Sequence, residues 1–136
     1  MILMNTTTAP RRTKNCQEIE QVLGDMGHAS NAEILSKLRR NNPLLSATTV
    51  HRATARLQHR GSIALAPPAV DGSMRYDSNV SPHDHFMCNT CGMLRDTDIK
   101  EKVIPVLVGS MTDCVVSGRL TISGECKKCR KDKERM

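Results

Sequence analysis

At 136 residues the chain can form one domain or two small ones, and its 38% hydrophobic content includes only Phe86 and Tyr76 as aromatic residues and no Trp, which excludes a core built on large rings. Ten Lys/Arg stand against six Asp/Glu in residues 1–79 and ten against eight in residues 80–136, for a net charge of +6; such a field attracts polyanions without by itself establishing a nucleic-acid partner. No run approaches the ~18 apolar residues a membrane span needs, so a membrane partner is not expected.

Residues 15–26 place Cys16, Ile19, Val22, Leu23 and Met26 on one helical stripe that Gly27 is placed to end. Ser30-Asn31-Ala32-Glu33 is a capping box, so a second helix starts there, buries Ile34, Leu35 and Leu38, and stops before Pro43. Ser46 is expected to cap a third helix that ends at Gly61. Its inward face is Ala47, Val50, Ala53, Thr54 and Leu57, with Thr48, Thr49, His51, Arg52 and Arg56 lying off it. The period then changes: residues 63–66 read as a short strand, Pro67-Pro68 cannot continue a ladder, Asp71-Gly72 is a turn, and residues 74–77 are a returning strand. Three short helices followed by a hairpin describe a winged helix whose third helix enters a major groove. Without the hairpin, the same helices would be a three-helix core with a solvated basic face.

Residues 78–82 are a polar joint. Beyond it, strands are expected at 83–87, 94–97, Val115-Val116 and 119–123, and a helix at 100–110 with a kink or late start at Pro105. The charged tail from Lys127 to Met136 is expected to be solvated and frayed.

The chemistry concentrates in this second half. Two C-x-x-C pairs, Cys88/Cys91 and Cys126/Cys129, are separated by 34 residues, and four thiolates at that spacing suit a structural Zn2+. Disulfides are the competing use of six cysteines and belong to exported chains. The apolar run Met1-Ile2-Leu3-Met4 is too short for a signal peptide, which points to a reducing, cytoplasmic setting. His83-Asp84-His85 precedes the first pair. In a strand both imidazoles face one side and Asp84 the other. Asp77 and Asp96 are the nearby candidates to complete the shell of this second site. His28 is more distant, and spacing alone leaves it capping or packing near the second helix. Three imidazoles and two carboxylates would suit Fe2+ or Mn2+ better than tetrahedral zinc. Two rival readings use the same residues: a rubredoxin-like electron carrier with iron on the four cysteines, and a metal hydrolase on His83, Asp84 and His85, for which neither a general base nor a substrate pocket is identified.

From Thr13 to Cys129 the chain resembles the ferric uptake regulator family of bacterial metal-dependent repressors, and within it the peroxide-responsive branch. The resemblance is carried by His83-Asp84-His85-Phe86-Met87-Cys88-Asn89-Thr90-Cys91-Gly92, Ser46-Ala47-Thr48-Thr49-Val50-His51-Arg52 and Gly124-Glu125-Cys126-Lys127-Lys128-Cys129, in that family's arrangement. It implies an α+β fold: an N-terminal winged-helix DNA-binding domain, 1–79, followed by a small α/β dimerisation and metal-binding domain, 80–136, with a four-cysteine zinc site. It also implies a homodimer on a double-stranded DNA operator, acting as a repressor and not as an enzyme. His28, Asp77, His83, His85 and Asp96 fall at the regulatory ligands, all five competent, with aspartate at both acidic positions as in the peroxide-responsive branch. Zinc-uptake regulators commonly have cysteine where Asp77 stands. In the peroxide-responsive branch iron-bound protein is oxidised at a ligand histidine, here His28 or His83; an iron- or manganese-responsive uptake regulator is the alternative.

The chain departs from the pattern in places. His51 stands where the family usually has tyrosine, Cys16 replaces an arginine near the start of the first helix, and the helix that often precedes it is shortened. The histidine many members carry before the last strand is missing in Val115-Val116-Ser117-Gly118, so a third metal site is not expected. Cys16 and Cys114 read as buried small apolar residues.

Overall fold

The structure, a computed structural model, describes residues 13–135. The apolar run Met1-Ile2-Leu3-Met4 and the shortened leading helix fall outside the described residues. The chain divides into two compact units, Met1–Leu65 with Tyr76–Asn79, and Ala66–Arg75 with Val80–Met136.

In the first unit, α1 spans Lys14–Met26 and starts at Thr13, whose hydroxyl accepts the Cys16 amide. Gly27 at φ +82° ends it and returns its N–H to Leu23 O, a conformation that disfavours any side chain. The short strand β1, His28–Ser30, leads into α2, Asn31–Leu38. The capping box forms in both directions, with Glu33 N bonded to Ser30 Oγ at 3.2 Å and Ser30 N to Glu33 Oε1 at 3.0 Å. Helix α3, Ala47–His59, is capped by Ser46. Cys16, Ile19, Leu23, Ala29, Ile34, Leu38, Leu45, Val50, Ala53, Leu57, Ile63 and Tyr76 form the core, with Val22, Met26 and Leu35 against it. Cys16 is fully buried as expected, but Ala47 is exposed, because it lies in the first turn of α3 before that helix meets its neighbours.

Strands β2, Ala64–Ala66, and β3, Arg75–Asp77, flank the Asp71-Gly72 turn, where Gly72 adopts φ +88° and Asp71 Oδ1 accepts from Ser73 N. The sheet is three-stranded, in the order β1-β3-β2, and not a two-stranded hairpin. β1 escaped prediction because three residues show no alternation.

The second unit holds a sheet in the order β5-β4-β6. β4, Asp84–Cys88, pairs antiparallel with β5, Leu94–Thr97, and parallel with β6, Thr121–Gly124. Helix α4, Lys100–Ser110, runs through Pro105 without a late start. Residues 115–116 are not a strand: Val115 is 90% exposed and no ladder reaches it, and a strand without a partner leaves its amides to water. The tail is helical from Lys127 to Glu134 as α5, not frayed, because Cys126 caps it and Lys133 pairs with Glu125 at its base. Cys114 is exposed, contrary to expectation, since it lies in the irregular segment after α4 with nothing packed over it. No helix among the described residues is long and apolar enough to cross a membrane.

Candidate metal centres

Among the described residues, Cys88 is the buried apolar residue of the second unit; the others belong to the first. What the second unit has in place of an oily core is a sulfur cluster. The sheet register brings Cys88, at the end of β4, beside Gly124 of β6, so the second cysteine pair begins where the first turns. The four Sγ atoms lie within 4.8 Å of one another, and Cys91 Sγ and Cys126 Sγ are 3.9 Å apart. Sulfurs about 2.3 Å from a central tetrahedral zinc sit about 3.8 Å apart, so the donor set fits that ion.

Amide groups support these sulfurs. Cys91 N and Cys126 N donate to Cys88 Sγ, each at 3.4 Å, and Cys129 N donates to Cys126 Sγ at 3.5 Å. The two N–H groups on Cys88 hold its thiol down to about 6, in the thiolate form a metal needs. Cys129 is pushed up to about 12, first by its hydrogen bond with the Cys126 sulfur and then by burial.

The same unit carries a second donor set. His83 lies just before β4 and not within it, yet its ring stands 4.5 Å from that of His85, centroid to centroid. His83 Nε2 and His85 Nε2 lie 3.5 and 3.4 Å from one oxygen, Asp96 Oδ1. β4–β5 pairing places Asp96 there, because His85 and Asp96 are register partners. The other nitrogen of His83 is committed: Nδ1 donates to Ser81 O at 2.6 Å, which leaves Nε2 with the lone pair a metal takes. Asp84 is no part of this set, being buried with Oδ1 accepting the Leu120 amide at 2.8 Å. Ser81 and Leu120 act through backbone atoms, so no sequence pattern reveals them.

In the first unit, His28 sits in β1, ahead of α2, and Asp77 ends β3, its neighbour in the sheet. His28 Nε2 and Asp77 Oδ2 are 3.3 Å apart, and Asp77 Oδ1 accepts the Asn79 amide at 2.8 Å. The pair is nearly enclosed, at 16% and 2% side-chain exposure, so spacing was a poor guide to His28 and sheet pairing decides its partner.

On α3, Thr48, His51, Arg52 and Arg56 are exposed. Thr49 is half-buried, its hydroxyl 2.9 Å from that of the cap Ser46. Arg52 and Arg56 line a cavity of about 240 Å³ with Thr13, Asn15, Thr49 and Ala53.

Residues 6–107 match the model of the Ferric uptake regulator family. The chain is 30% identical over 105 residues to the peroxide-responsive repressor PerR of Staphylococcus aureus, covering 76% of this chain and 70% of that protein. It is 39% identical over 62 residues to the transcriptional regulator PerR of Clostridium acetobutylicum, a match spanning 44% of this chain and only 45% of that protein. The ferric uptake regulator of Francisella tularensis, solved with iron, shares the fold at TM-score 0.70 and 22% identity, over 93% of this chain and 99% of that one. A cysteine cluster fit for zinc, a histidine and carboxylate set of the kind that takes iron or manganese, and these similarities together show that the chain belongs to the ferric uptake regulator family.

Proposed function

We propose that the chain is a homodimeric, metal-dependent DNA-binding repressor that senses hydrogen peroxide. The observation that carries the reading is the convergence of His83 Nε2 and His85 Nε2 on Asp96 Oδ1, with His83 Nδ1 already engaged by Ser81 O. Two imidazoles oriented onto a carboxylate are half of a mixed nitrogen and oxygen shell. His28 and Asp77, already paired in the first unit, complete it as a set of five donors for Fe2+ or Mn2+. Donors drawn from both units make ion binding a choice between conformations, and an ion shifts that choice by its differential affinity for the two.

The helices of the first unit together with the β2–β3 hairpin are read as a winged helix, with α3 in the major groove and the hairpin as the wing. Thr48, Thr49, His51, Arg52 and Arg56 are its DNA-facing residues, and the exposed basic stripe supports this. The second unit is read as the dimerisation domain. Helix α4 buries none of its residues, and Val106 and Val108 remain 69% and 50% exposed, an apolar face suited to a second copy. Unpaired cysteines gathered as a zinc donor set support a reducing, cytoplasmic setting.

His28, Asp77, His83, His85 and Asp96 would hold Fe2+, which would supply the electrons that cleave hydrogen peroxide. His28 or His83 would take one oxygen atom of the peroxide, the other leaving as water, and the oxidised ring would ligate poorly, so that the shell would open and DNA would be released. The test is operator binding with and without manganese, followed by mass spectrometry of iron-loaded protein after peroxide. A gain of one oxygen on His28 or His83 with loss of DNA binding is expected. Intact histidines with metal-dependent binding would make the protein a regulator of iron or manganese supply instead. Binding that ignores metal would overturn both readings.

A further inference from the structure

Eight residues of α3 are exposed, and six of them, Thr48, His51, Arg52, Ala55, Arg56 and His59, recur at steps of three and four that put them on one face. One of them is held from another helix. Asn31, the first residue of α2, places its Nδ2 3.2 Å from His51 Nδ1. The other end of the same amide, Oδ1, accepts the hydroxyl of Thr54 at 2.8 Å. Thr54 is completely buried, and its hydroxyl also lies 3.1 Å from Val50 O and 3.2 Å from His51 O. The contact to Asn31 is the shortest of the three.

This relay fixes a proton. An amide whose oxygen is taken by Thr54 turns its NH2 toward His51, and an NH2 only donates. His51 Nδ1 must then carry the lone pair, which leaves the hydrogen on Nε2. The difference matters in a groove: an Nε2–H donates to acceptors such as guanine N7 and O6, whereas a bare Nε2 would accept from cytosine N4 or adenine N6. A neutral donor also brings no counterion release, so it contributes selectivity more than general affinity.

We propose that Asn31 is a positioning residue that holds His51 as its Nε2–H tautomer, making His51 a single fixed donor to an acceptor atom on an operator base edge. The proposal rests on the reading of α3 as the groove helix.

The first test needs no DNA. Long-range 15N–1H correlation spectra of the zinc-loaded protein should show Nδ1 of His51 unprotonated and Nε2 protonated. In Asn31→Asp, which keeps the shape but offers only acceptors, the proton should move to Nδ1. A protonated Nδ1 in the unsubstituted protein, or no change in Asn31→Asp, overturns the relay.

The second test uses manganese-loaded protein, a duplex selected in vitro from a random pool, and a random-sequence duplex of equal length. His51→Ala and Asn31→Asp should each weaken the selected complex about five- to tenfold, the size of one good hydrogen bond. The double variant should lose no more than either alone, and each loss should be smaller on the random duplex than on the selected one. Equal losses on both duplexes would assign the donor to a phosphate and overturn base reading, and losses that multiply would overturn the coupling. Failure of the unsubstituted protein to bind any duplex would overturn the repressor reading and the base contact together, while the spectra judge the relay separately.

Discussion

Arg75 Nη1 donates to Gly92 O at 2.6 Å, joining the start of β3 to the residue that follows the first cysteine pair. The rest of the guanidinium is used as fully: Nε reaches Pro67 O at 2.9 Å, and Nη2 reaches Pro68 O at 3.1 Å and Met87 Sδ at 3.5 Å. Gly92 takes φ +79°, which side chains rarely adopt; a Cβ there would meet Val70 Cγ2 at an ordinary 3.5 Å, so the backbone angle and not space calls for glycine. One 7% exposed arginine thus ties residues 66–75 to the metal knuckle.

Arg75→Leu should therefore destabilise the zinc-loaded protein by about 2–3 kcal/mol, because it strands carbonyl groups that a charged donor had satisfied. Denaturant midpoints measure this. Arg75→Lys should recover only part of the loss, since an ammonium cannot reach three carbonyls in a planar fork. A neutral result for Arg75→Leu would mean water replaces the guanidinium without cost.

Removal of zinc should unfold the second unit and spare the first. Structural zinc contributes roughly 10–16 kcal/mol in small peptides, and the second unit has little apolar burial to fall back on. Tyr76, the chain's one tyrosine and 4% exposed in the first unit's core, is a built-in reporter because there is no Trp. Chelation under reducing conditions should lower far-ultraviolet ellipticity while Tyr76 fluorescence holds steady.

Zinc binding should be coupled to folding of the second unit and to release of thiol protons, because the unfolded cysteines keep values near the ordinary ~8.5 and are mostly protonated at about pH 7. Zinc affinity should therefore fall as pH falls. Calorimetry in two buffers of different ionisation enthalpy counts the protons, and a release near zero would contradict ligation by the four thiols.

Arg52→Ala and Arg56→Ala should each weaken DNA binding across all sequences and reduce the salt slope by about 1, as expected for lost phosphate contacts. Affinity measured at several salt concentrations checks this. An unchanged slope in both would remove α3 from the interface.

Much of the local structure was legible because its causes are local. The capping box at Ser30 and Glu33, the cap at Ser46 and the stop at Gly27 depend on residues three or four apart, and each formed as read. Sulfur spacing was legible for a similar reason, since a C-x-x-C turn presents both thiolates without outside help. Two of the misreadings involve long-range pairing. Val115-Val116 has strand propensity but no ladder, and β1 has little propensity but gains a neighbour in β3.

The order of residues alone determined which groups can bind metal, where the first four helices lie, and that the second half needs a staple. Only tertiary structure decided what each group does with its capacity. It gave Asp84 to the Leu120 amide and Asp96 to two imidazoles, and it engaged one nitrogen of His83 and one of His51 with distant or backbone partners. The reason is that hydrogen bonds and metal shells are set by distances across the chain. Backbone carbonyls and amides, identical in every residue, leave no mark in the sequence until the fold brings them within reach.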